Sequence, residues 1–230
     1  MMVAQFQCFP SPLMWCETNG PLAPSAVAGL ERWFRAEDLT GADNSPFTSW
    51  TDTAGIQAAT QPVGTSQPTL KHNGAFHYIR HDGVDDFMDY GELLNAMTLF
   101  AVVRFWNAAT NAAVIFGHEF FYDLHGGHSA HSEQDKVLSS VLAISSFTGG
   151  RALLNGVPST PATIVKPATF AVIAFRGSTD PARLQNFAND RAGSLAPIDL
   201  MEAAIYSTSL TDGQMDRVAT WLANKFVAYV

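Results

Sequence analysis

Three carboxylates crowd into one short stretch of the sequence, HDGVDDFM, in which Asp82, Asp85 and Asp86 stand close to Gly83. Such a group can supply oxygen ligands to calcium or one half of an acid/base pair. The stretch is also typical of a tight turn in which Asp side chains accept hydrogen bonds from nearby backbone N–H groups. We expect the turn, because the regular Asp-x-Asp-x-Asp-Gly calcium spacing is absent from the sequence. Calcium bound by the three Asp side chains is kept as the alternative.

A second group that could do chemistry is the histidine-rich stretch GHEFFYDLHGGHSAHSEQD, which holds His118, His125, His128 and His131. The last three are spaced H-x2-H-x2-H, and their imidazoles could converge on zinc or nickel. Because the glycine-rich backbone between them fixes no geometry, a solvated loop is the expected alternative. The candidate metal ligands are therefore His125, His128 and His131, besides the Asp group.

The elements that must position these groups are mainly strands. TLFAVVRFW (98–106) is rich in β-branched and aromatic residues, as in a strand buried on both faces. RALLNGVPST (151–160) predicts a hairpin, because Asn155-Gly156 favours a type I′ turn. Further strands are predicted at 112–117, 119–124, 137–147, 168–176 and 198–206. Short strands separated by turn residues favour an antiparallel sandwich.

One helix is predicted near the C-terminus. Thr211 is a good N-cap and Gln214 completes a capping box, while Leu210 and Met215 have the spacing of a hydrophobic staple. Apolar residues then recur at helical spacing and predict a core-facing stripe; they are Met215, Val218, Ala219, Leu222 and Phe226.

Several segments follow one another in an order that resembles a known family. They are GLERWFRAED (29–38), SWTDTAGIQAATQP (49–62), HDGVDDFM (81–88), LLNGV (153–157) and IDLMEAAIYSTSLTDGQMDRVATWLANKF (198–226). The order resembles concanavalin A-like jelly rolls of the laminin G-like type, which occur in phage virion and bacterial surface proteins. The resemblance implies an all-β jelly-roll sandwich of two antiparallel sheets, with roughly six or seven strands each, one C-terminal α-helix and an irregular N-terminal arm. His81 departs from the family, which usually has Phe there.

The sequence divides into a Pro-rich arm at 1–28 and a laminin G-like domain at 29–230. The arm combines Pro10, Pro12, Pro21 and Pro24 with many apolar residues, so it is too apolar for a solvated linker. It either lies over its own domain or docks into a neighbouring subunit.

Glycan-hydrolysing enzymes of this architecture carry two carboxylates on one strand face, in the pattern E-x-D-x-x-E. The pattern is absent: Glu202 stands alone in IDLMEAAIY, and Asp199 is expected on the opposite face. We expect Glu202 to be a structural acceptor, with Arg32 or Arg35 as its partner, since a buried carboxylate must be paired. The sequence therefore predicts a protein that is not an enzyme.

Glycan binding without catalysis would use aromatic platforms and nearby hydrogen-bonding side chains. The candidate ligand-binding residues are Trp106, Asn107, Tyr122 and His125. Aromatic residues of strands are more often part of the core, which is the alternative for each of them.

The charge of the chain and its apolar runs indicate which classes of binding partner are not expected. The formal net charge is −8, from 21 acidic and 13 basic residues, and no Lys/Arg run occurs. Binding to nucleic acid or docking to an anionic membrane is therefore not expected. The first residues lack a basic n-region, so no signal peptide is predicted, and no apolar run reaches membrane-spanning length. Cys8 and Cys16 are either free thiols or joined in a short loop.

These observations predict a structural or adhesion protein of a virion, such as a phage head-decoration or tail-fibre component. Residues 1–28 would dock it to other virion proteins or to copies of itself, in a homo-oligomer or larger assembly. The first alternative is a lectin-like module that recognises cell-surface glycans, and the second is a glycoside hydrolase. No cofactor is expected apart from the calcium alternative.

Overall fold

A computed structural model describes residues 20–74, 76–107, 114–127, 133–191 and 194–227. Two antiparallel sheets pack face to face in these ranges. The larger sheet contains β1 (Leu30–Arg35), β4 (Thr69–Asn73), β5 (Phe76–Arg80), β7 (Thr98–Phe105), β9 (Arg151–Leu154), β10 (Val157–Ser159), β11 (Ala171–Arg176) and β15 (Ile198–Tyr206). The smaller sheet contains β2 (Ser49–Trp50), β3 (Ala59–Thr60), β6 (Met88–Ala96), β8 (Phe116–Gly117) and β12 (Ala182–Phe187).

The described ranges also contain a small hairpin of β13 (Asn189–Asp190) and β14 (Ser194–Leu195) and two α-helices, α1 (Ser145–Thr148) and α2 (Asp212–Lys225). Short 3-10 helices lie at Pro24–Ala26, Ala36–Asp38, Gly64–Ser66 and Pro161–Thr163. The larger sheet has the order β10-β9-β11-β7-β15-β5-β4, with β1 also paired to β15, and the smaller has the order β2-β3-β6-β12-β8. The predicted all-β sandwich is confirmed. The described strands number eight and five, where the resemblance implies roughly six or seven in each sheet.

Aromatic side chains between the two sheets form the centre of the core. Phe34 of the larger sheet meets Phe187 of the smaller one edge to face, at 5.1 Å between ring centroids. Tyr90 and Trp50 lie against the same Phe187 ring at 4.6 Å and 5.7 Å. All four residues are fully buried, so this cluster joins the sheets through the dense packing that aromatic residues provide.

Helix α2 covers the outer face of the larger sheet. The predicted capping box is present, since the Thr211 side chain accepts from Gln214 N and the Gln214 side chain accepts from Thr211 N. Leu210 and Met215 are both buried in the cluster that the helix forms with the sheet, as the staple predicts. The apolar stripe therefore has the structural role predicted for it.

A β-bulge in β15 corrects the expected orientation of its two acids. The pairing of β15 with β7 shifts between Leu200 and Glu202. The extra residue places Glu202 on the outer face, where it contacts Lys225 of α2. Asp199 bonds Arg104 on that face as well. The prediction that the two carboxylates point to opposite faces is wrong, because a bulge resets the alternation of side chains.

The predicted strands at 98–106, 168–176 and 198–206 are confirmed within a few residues, and so is the hairpin, whose Asn155 and Gly156 have φ of 51° and 78°. The predicted strands at 119–124 and 137–147 are wrong, because these segments form turns and the short helix α1. In the segment predicted at 112–117, the strand β8 is Phe116–Gly117, and residues 112–113 lie outside the described ranges.

The described part of the arm packs against its own domain. Leu22 N donates to Arg217 O at 3.1 Å, and Arg217 Nε donates to Gly20 O at 2.7 Å. Tyr206 Oη donates to Pro24 O at 2.9 Å. Residues 1–19, with Cys8 and Cys16, lie outside the described ranges. Docking of residues 1–28 to another protein and the boundary at residue 29 stay predictions.

A search of the described helices finds none with the length and apolar character needed to cross a membrane.

Candidate functional site

The HDGVDDFM stretch is the turn between β5 and β6. Gly83 has φ of 76°, which suits glycine. Asp82 Oδ1 accepts from Val84 N at 2.7 Å and from Asp85 N at 3.2 Å. Asp86 Oδ2 accepts from Asp82 N at 3.0 Å. The predicted turn, with its Asp side chains on backbone N–H groups, is confirmed.

The three carboxylates of this turn remain close together. One oxygen of each of Asp82, Asp85 and Asp86 lies within 4.8 Å of the others. Burial, followed by the charge of Asp82, raises the pKa of Asp86 to about 7. Calcium binding here stays a prediction, since among the described residues no feature outside the acidic group points to a cation.

Trp106 lies immediately after β7 and beside this turn. Its indole Nε1 donates to His81 O at 3.1 Å, and the Arg80 guanidinium lies 5.4 Å from its ring centroid. Although it is held at these points, the Trp106 side chain keeps 41% of its surface exposed, and Asn107 next to it is also exposed. Two of the predicted ligand-binding residues, Trp106 and Asn107, thus lie next to each other on the surface. We call Trp106, Asn107, Arg80 and the 81–88 turn the Trp106 face.

Beneath the Trp106 face lies an ion-pair cluster on the outer side of the larger sheet. Arg80 Nε and Nη2 donate to Asp199 Oδ1 and Oδ2 at 2.7 Å and 2.8 Å. Arg104 Nε donates to Asp199 Oδ2 at 2.6 Å, and its Nη2 donates to Tyr78 Oη at 3.3 Å. Hydrogen bonding to Asp199 raises the pKa of Arg80 although burial opposes it. One buried carboxylate therefore orients two arginines.

Sequence reasoning missed this cluster. Its signal in the sequence is an Arg near the end of each of two apolar strands, FHYIR and TLFAVVRF, and an Asp near the start of a third, IDLMEAAIY. A charged residue in such a strand must be paired. Only the strand pairing shows that Arg80, Arg104 and Asp199 pair with one another.

The other predicted ligand pair, Tyr122 and His125, lies on the segment after β8. Their rings meet edge to face at 5.0 Å, and the Arg191 guanidinium lies 5.3 Å from the Tyr122 ring. His125 is 2% exposed and its Nδ1 is hydrogen-bonded to the Asp190 carboxylate. His125 is thus a buried, oriented side chain, and its assignment to a ligand site stays a prediction.

The predicted histidine metal group is only partly described. His118 is buried, with Nδ1 accepting from Phe120 N at 3.0 Å and Nε2 lying 3.2 Å from Glu92 Oε1. His128 and His131 lie outside the described residues. A metal held by His125, His128 and His131 stays a prediction.

Glu202 is a structural acceptor, as predicted, but its partners differ. Oε1 accepts from Trp33 Nε1 at 2.6 Å, and Oε2 accepts from Lys225 Nζ at 2.5 Å. Burial raises the pKa of Glu202. The predicted partners are wrong: Arg35 pairs with Glu37, and Arg32 donates to Glu31 O. Glu202 meets Lys225 instead of an arginine, because the bulge turns its side chain to the outer face of the sheet, where α2 lies.

Comparison with known proteins finds similarity to solved structures. No protein-family model and no curated protein matches the chain. It is similar to the solved structure of Trypanosoma rangeli sialidase in complex with the inhibitor DANA, with 12% identity, 92% of this chain and 36% of that chain covered, and a TM-score of 0.50. The same sialidase in complex with sialic acid gives 12% identity, 90% and 36% coverage, and a TM-score of 0.50.

This comparison corrects the prediction that the chain is not an enzyme. The two similar structures are of a sialidase, which is an enzyme, so the missing E-x-D-x-x-E pattern does not place the chain among non-enzymatic proteins. The chain spans about a third of the sialidase length, at 36%. At 12% identity the likeness shows the fold alone. Neither the structure nor the comparisons support a virion or phage role.

Proposed function

We propose that this β-sandwich binds carbohydrate at the Trp106 face. The observation that carries the proposal is Trp106, a residue that is 41% exposed although a hydrogen bond from its indole to His81 O and the guanidinium of Arg80 hold it in place. An exposed, fixed aromatic ring is a platform for the apolar C–H face of a sugar, and little conformational entropy is lost when the sugar stacks on it.

Polar groups around the ring suit the sugar hydroxyls. Asn107 is exposed beside Trp106, and its amide can donate and accept hydrogen bonds. The Arg80 guanidinium lies at the ring and offers planar donors. An apolar platform with a few oriented polar groups is the usual composition of a small-molecule site. The fold likeness to a sialidase whose structure holds sialic acid agrees with a carbohydrate role.

The test is a glycan array followed by calorimetric titration of the best glycan, using the wild-type chain and the variants Trp106→Ala and Phe120→Ala. Phe120 is the control, because it is also an exposed aromatic residue (62%) but lies on the segment after β8, outside the Trp106 face. We expect Trp106→Ala to lose about tenfold in affinity, because the variant loses stacking worth roughly 0.5–1.5 kcal/mol together with the apolar area that the ring buries. Phe120→Ala should bind within twofold of wild type.

Two results would overturn the proposal: no reproducible glycan binding by the wild-type chain, or equal losses in both variants. Since the similar solved structures are of a sialidase, which is an enzyme, the same mixtures are assayed for released sugars.

A further inference from the structure

We infer that the glycan bound at the Trp106 face is acidic, and that Arg80 and Arg104 bind its carboxylate or sulfate group. This inference rests on the proposed function and names the ligand class for the same site.

The charges of the ion-pair cluster are unequal. Two guanidinium groups share the single carboxylate of Asp199. The Asp199 side chain is 0% exposed, whereas the Arg80 and Arg104 side chains are 30% and 26% exposed. The cluster itself therefore buries its carboxylate and presents two guanidinium groups to solvent, while the neighbouring 81–88 turn carries the carboxylates of Asp82, Asp85 and Asp86. An anion at this site is attracted by direct contact with the guanidinium groups and not by the charge of the whole face.

Hydrogen-bond donors remain available on both arginines. Arg80 uses Nε and Nη2 on Asp199, and Arg104 uses Nε on Asp199 and Nη2 on Tyr78. The Nη1 groups have no protein partner among the described residues. A guanidinium with unused N–H groups is suited to the paired oxygens of a carboxylate or sulfate.

The arginines are also held in position before any ligand arrives. The Arg104 guanidinium lies 4.6 Å from the Phe170 ring and 5.3 Å from the Tyr78 ring. Arg80 lies 5.7 Å from the Tyr78 ring. Stacking on aromatic rings and bonding to Asp199 restrict the rotamers of both side chains, so binding an anion costs little ordering entropy.

Arg80 connects the anion position to the sugar platform. Its guanidinium lies between the Tyr78 and Trp106 rings, 5.4 Å from the latter. A sugar stacked on Trp106 therefore carries its substituents within reach of Arg80. In the neighbouring turn, Asp82 directs Oδ1 to the backbone N–H groups of Val84 and Asp85. One sugar ring with one acidic substituent matches this arrangement.

The test uses the full chain and three probes of similar length: an oligogalacturonate, a sulfated oligodextran and an unmodified oligodextran. We expect at least one acidic probe to bind about tenfold or more tightly than the neutral probe, because charge-assisted hydrogen bonds are about twice as strong as neutral ones. The preference should shrink as salt is raised. The acidic probe that binds identifies carboxylate or sulfate as the group recognised.

The variant Arg104→Gln, whose guanidinium lies against Tyr78 and Phe170, should lose about tenfold or more for the acidic probe and keep the neutral affinity. Arg80→Gln should lose about tenfold or more for the acidic probe and a smaller factor for the neutral probe, because Arg80 also lies against the Trp106 ring. Each leaves one arginine to pair with buried Asp199. Arg151→Gln is the matched control, because Arg151 is also ion-paired on the outer side of the larger sheet, to Asp212 and Asp216. It changes the net charge equally and should stay within twofold.

If Arg80→Gln does not fold, Arg80→Lys replaces it, because the lysine keeps a positive charge beside Asp199. The affinity of Arg80→Lys for the acidic probe should still fall by about threefold or more, since an ammonium group lacks the planar donors of a guanidinium. Binding of neutral glycans through Trp106 without preference for acidic probes would overturn this inference and leave the proposed function standing. Loss of acidic binding in Arg151→Gln as large as in Arg80→Gln would overturn it too. Failure of every glycan to bind would overturn the proposed function itself.

Discussion

The indole Nε1 of Trp33 in β1 donates a 2.6 Å hydrogen bond to the carboxylate of Glu202 in β15. Lys225 of α2 donates to the other carboxylate oxygen at 2.5 Å. Glu202, which is 1% exposed, thus joins two strands of the larger sheet to the helix that covers them. A carboxylate in this position satisfies two buried donors at once.

Removing this carboxylate should destabilise the fold. In Glu202→Ala the Trp33 indole loses its acceptor and Lys225 loses one of two acidic partners, so we expect the free energy of unfolding to fall by about 2–4 kcal/mol. Urea denaturation measures the change. Glu37→Ala is the control, because Glu37 also pairs with Lys225, at 2.8 Å, but its side chain is 29% exposed; it should lose less than about 1 kcal/mol. Equal losses would contradict the structural role of Glu202.

Gly83 should tolerate substitution less well than another glycine of similar backbone conformation. A Cβ on Gly83 (φ +76°) would lie 2.8 Å from Pro197 N, whereas a Cβ on Gly74 (φ +63°) meets nothing within 4 Å. We expect Gly74→Ala to cost about 1–2 kcal/mol from its left-handed backbone alone. Gly83→Ala should cost about 1–3 kcal/mol more, because the 188–197 segment must shift. Chemical denaturation of both variants gives the difference, and similar costs would argue against the close approach to Pro197.

His81 should make the fold sensitive to acid. Neither ring nitrogen has a hydrogen-bond partner among the described residues, the side chain is 0% exposed, and burial lowers the pKa of His81 to about 3. The unfolded chain takes up a proton on His81 below its ordinary pKa of about 6.5, while the folded chain does so only near pH 3. Between these values stability falls with falling pH, by about 1.4 kcal/mol per unit from this residue.

The comparison that isolates this effect is between the wild-type chain and His81→Phe, the residue that the resembling family usually has. Urea denaturation at pH 7, 6 and 5 should show the variant gaining stability over the wild type at each lower pH, since all other titrating groups are shared. Parallel pH profiles of the two proteins would refute the buried neutral histidine.

Features that the sequence predicts correctly are local ones. Thr211 and Gln214 are three residues apart and cap α2 by themselves. Asn155 and Gly156 have positive φ, which both residue types favour in a two-residue hairpin turn. The turn at 81–88 likewise depends on Asp82 and Gly83, which bond and bend within the turn. In each case the residues that specify the conformation are neighbours in the chain.

Features that were missed depend on distant parts of the chain. Asp199 meets Arg80 and Arg104 from 119 and 95 residues away, and the β-bulge that turns Glu202 outward arises only when β15 pairs with β7. The segment 137–147, which contains Ser139 and Ser146, is predicted to be a strand. The Ser139 hydroxyl instead accepts a hydrogen bond from Leu142 N, and the Ser146 hydroxyl accepts one from Asp180 N. Such side-chain bonds to the backbone compete with the hydrogen bonds between strands of a sheet.

The central position of β15 has a consequence for synthesis on the ribosome. β15 separates β7 from β5 and also pairs with β1, so three strands made earlier receive their common neighbour only when residues 198–206 are added. Until then the nascent chain carries apolar strand edges that can pair with other chains. The larger sheet is therefore completed only after residue 206 has been made, and a chain truncated before residue 198 should expose these strand edges and aggregate.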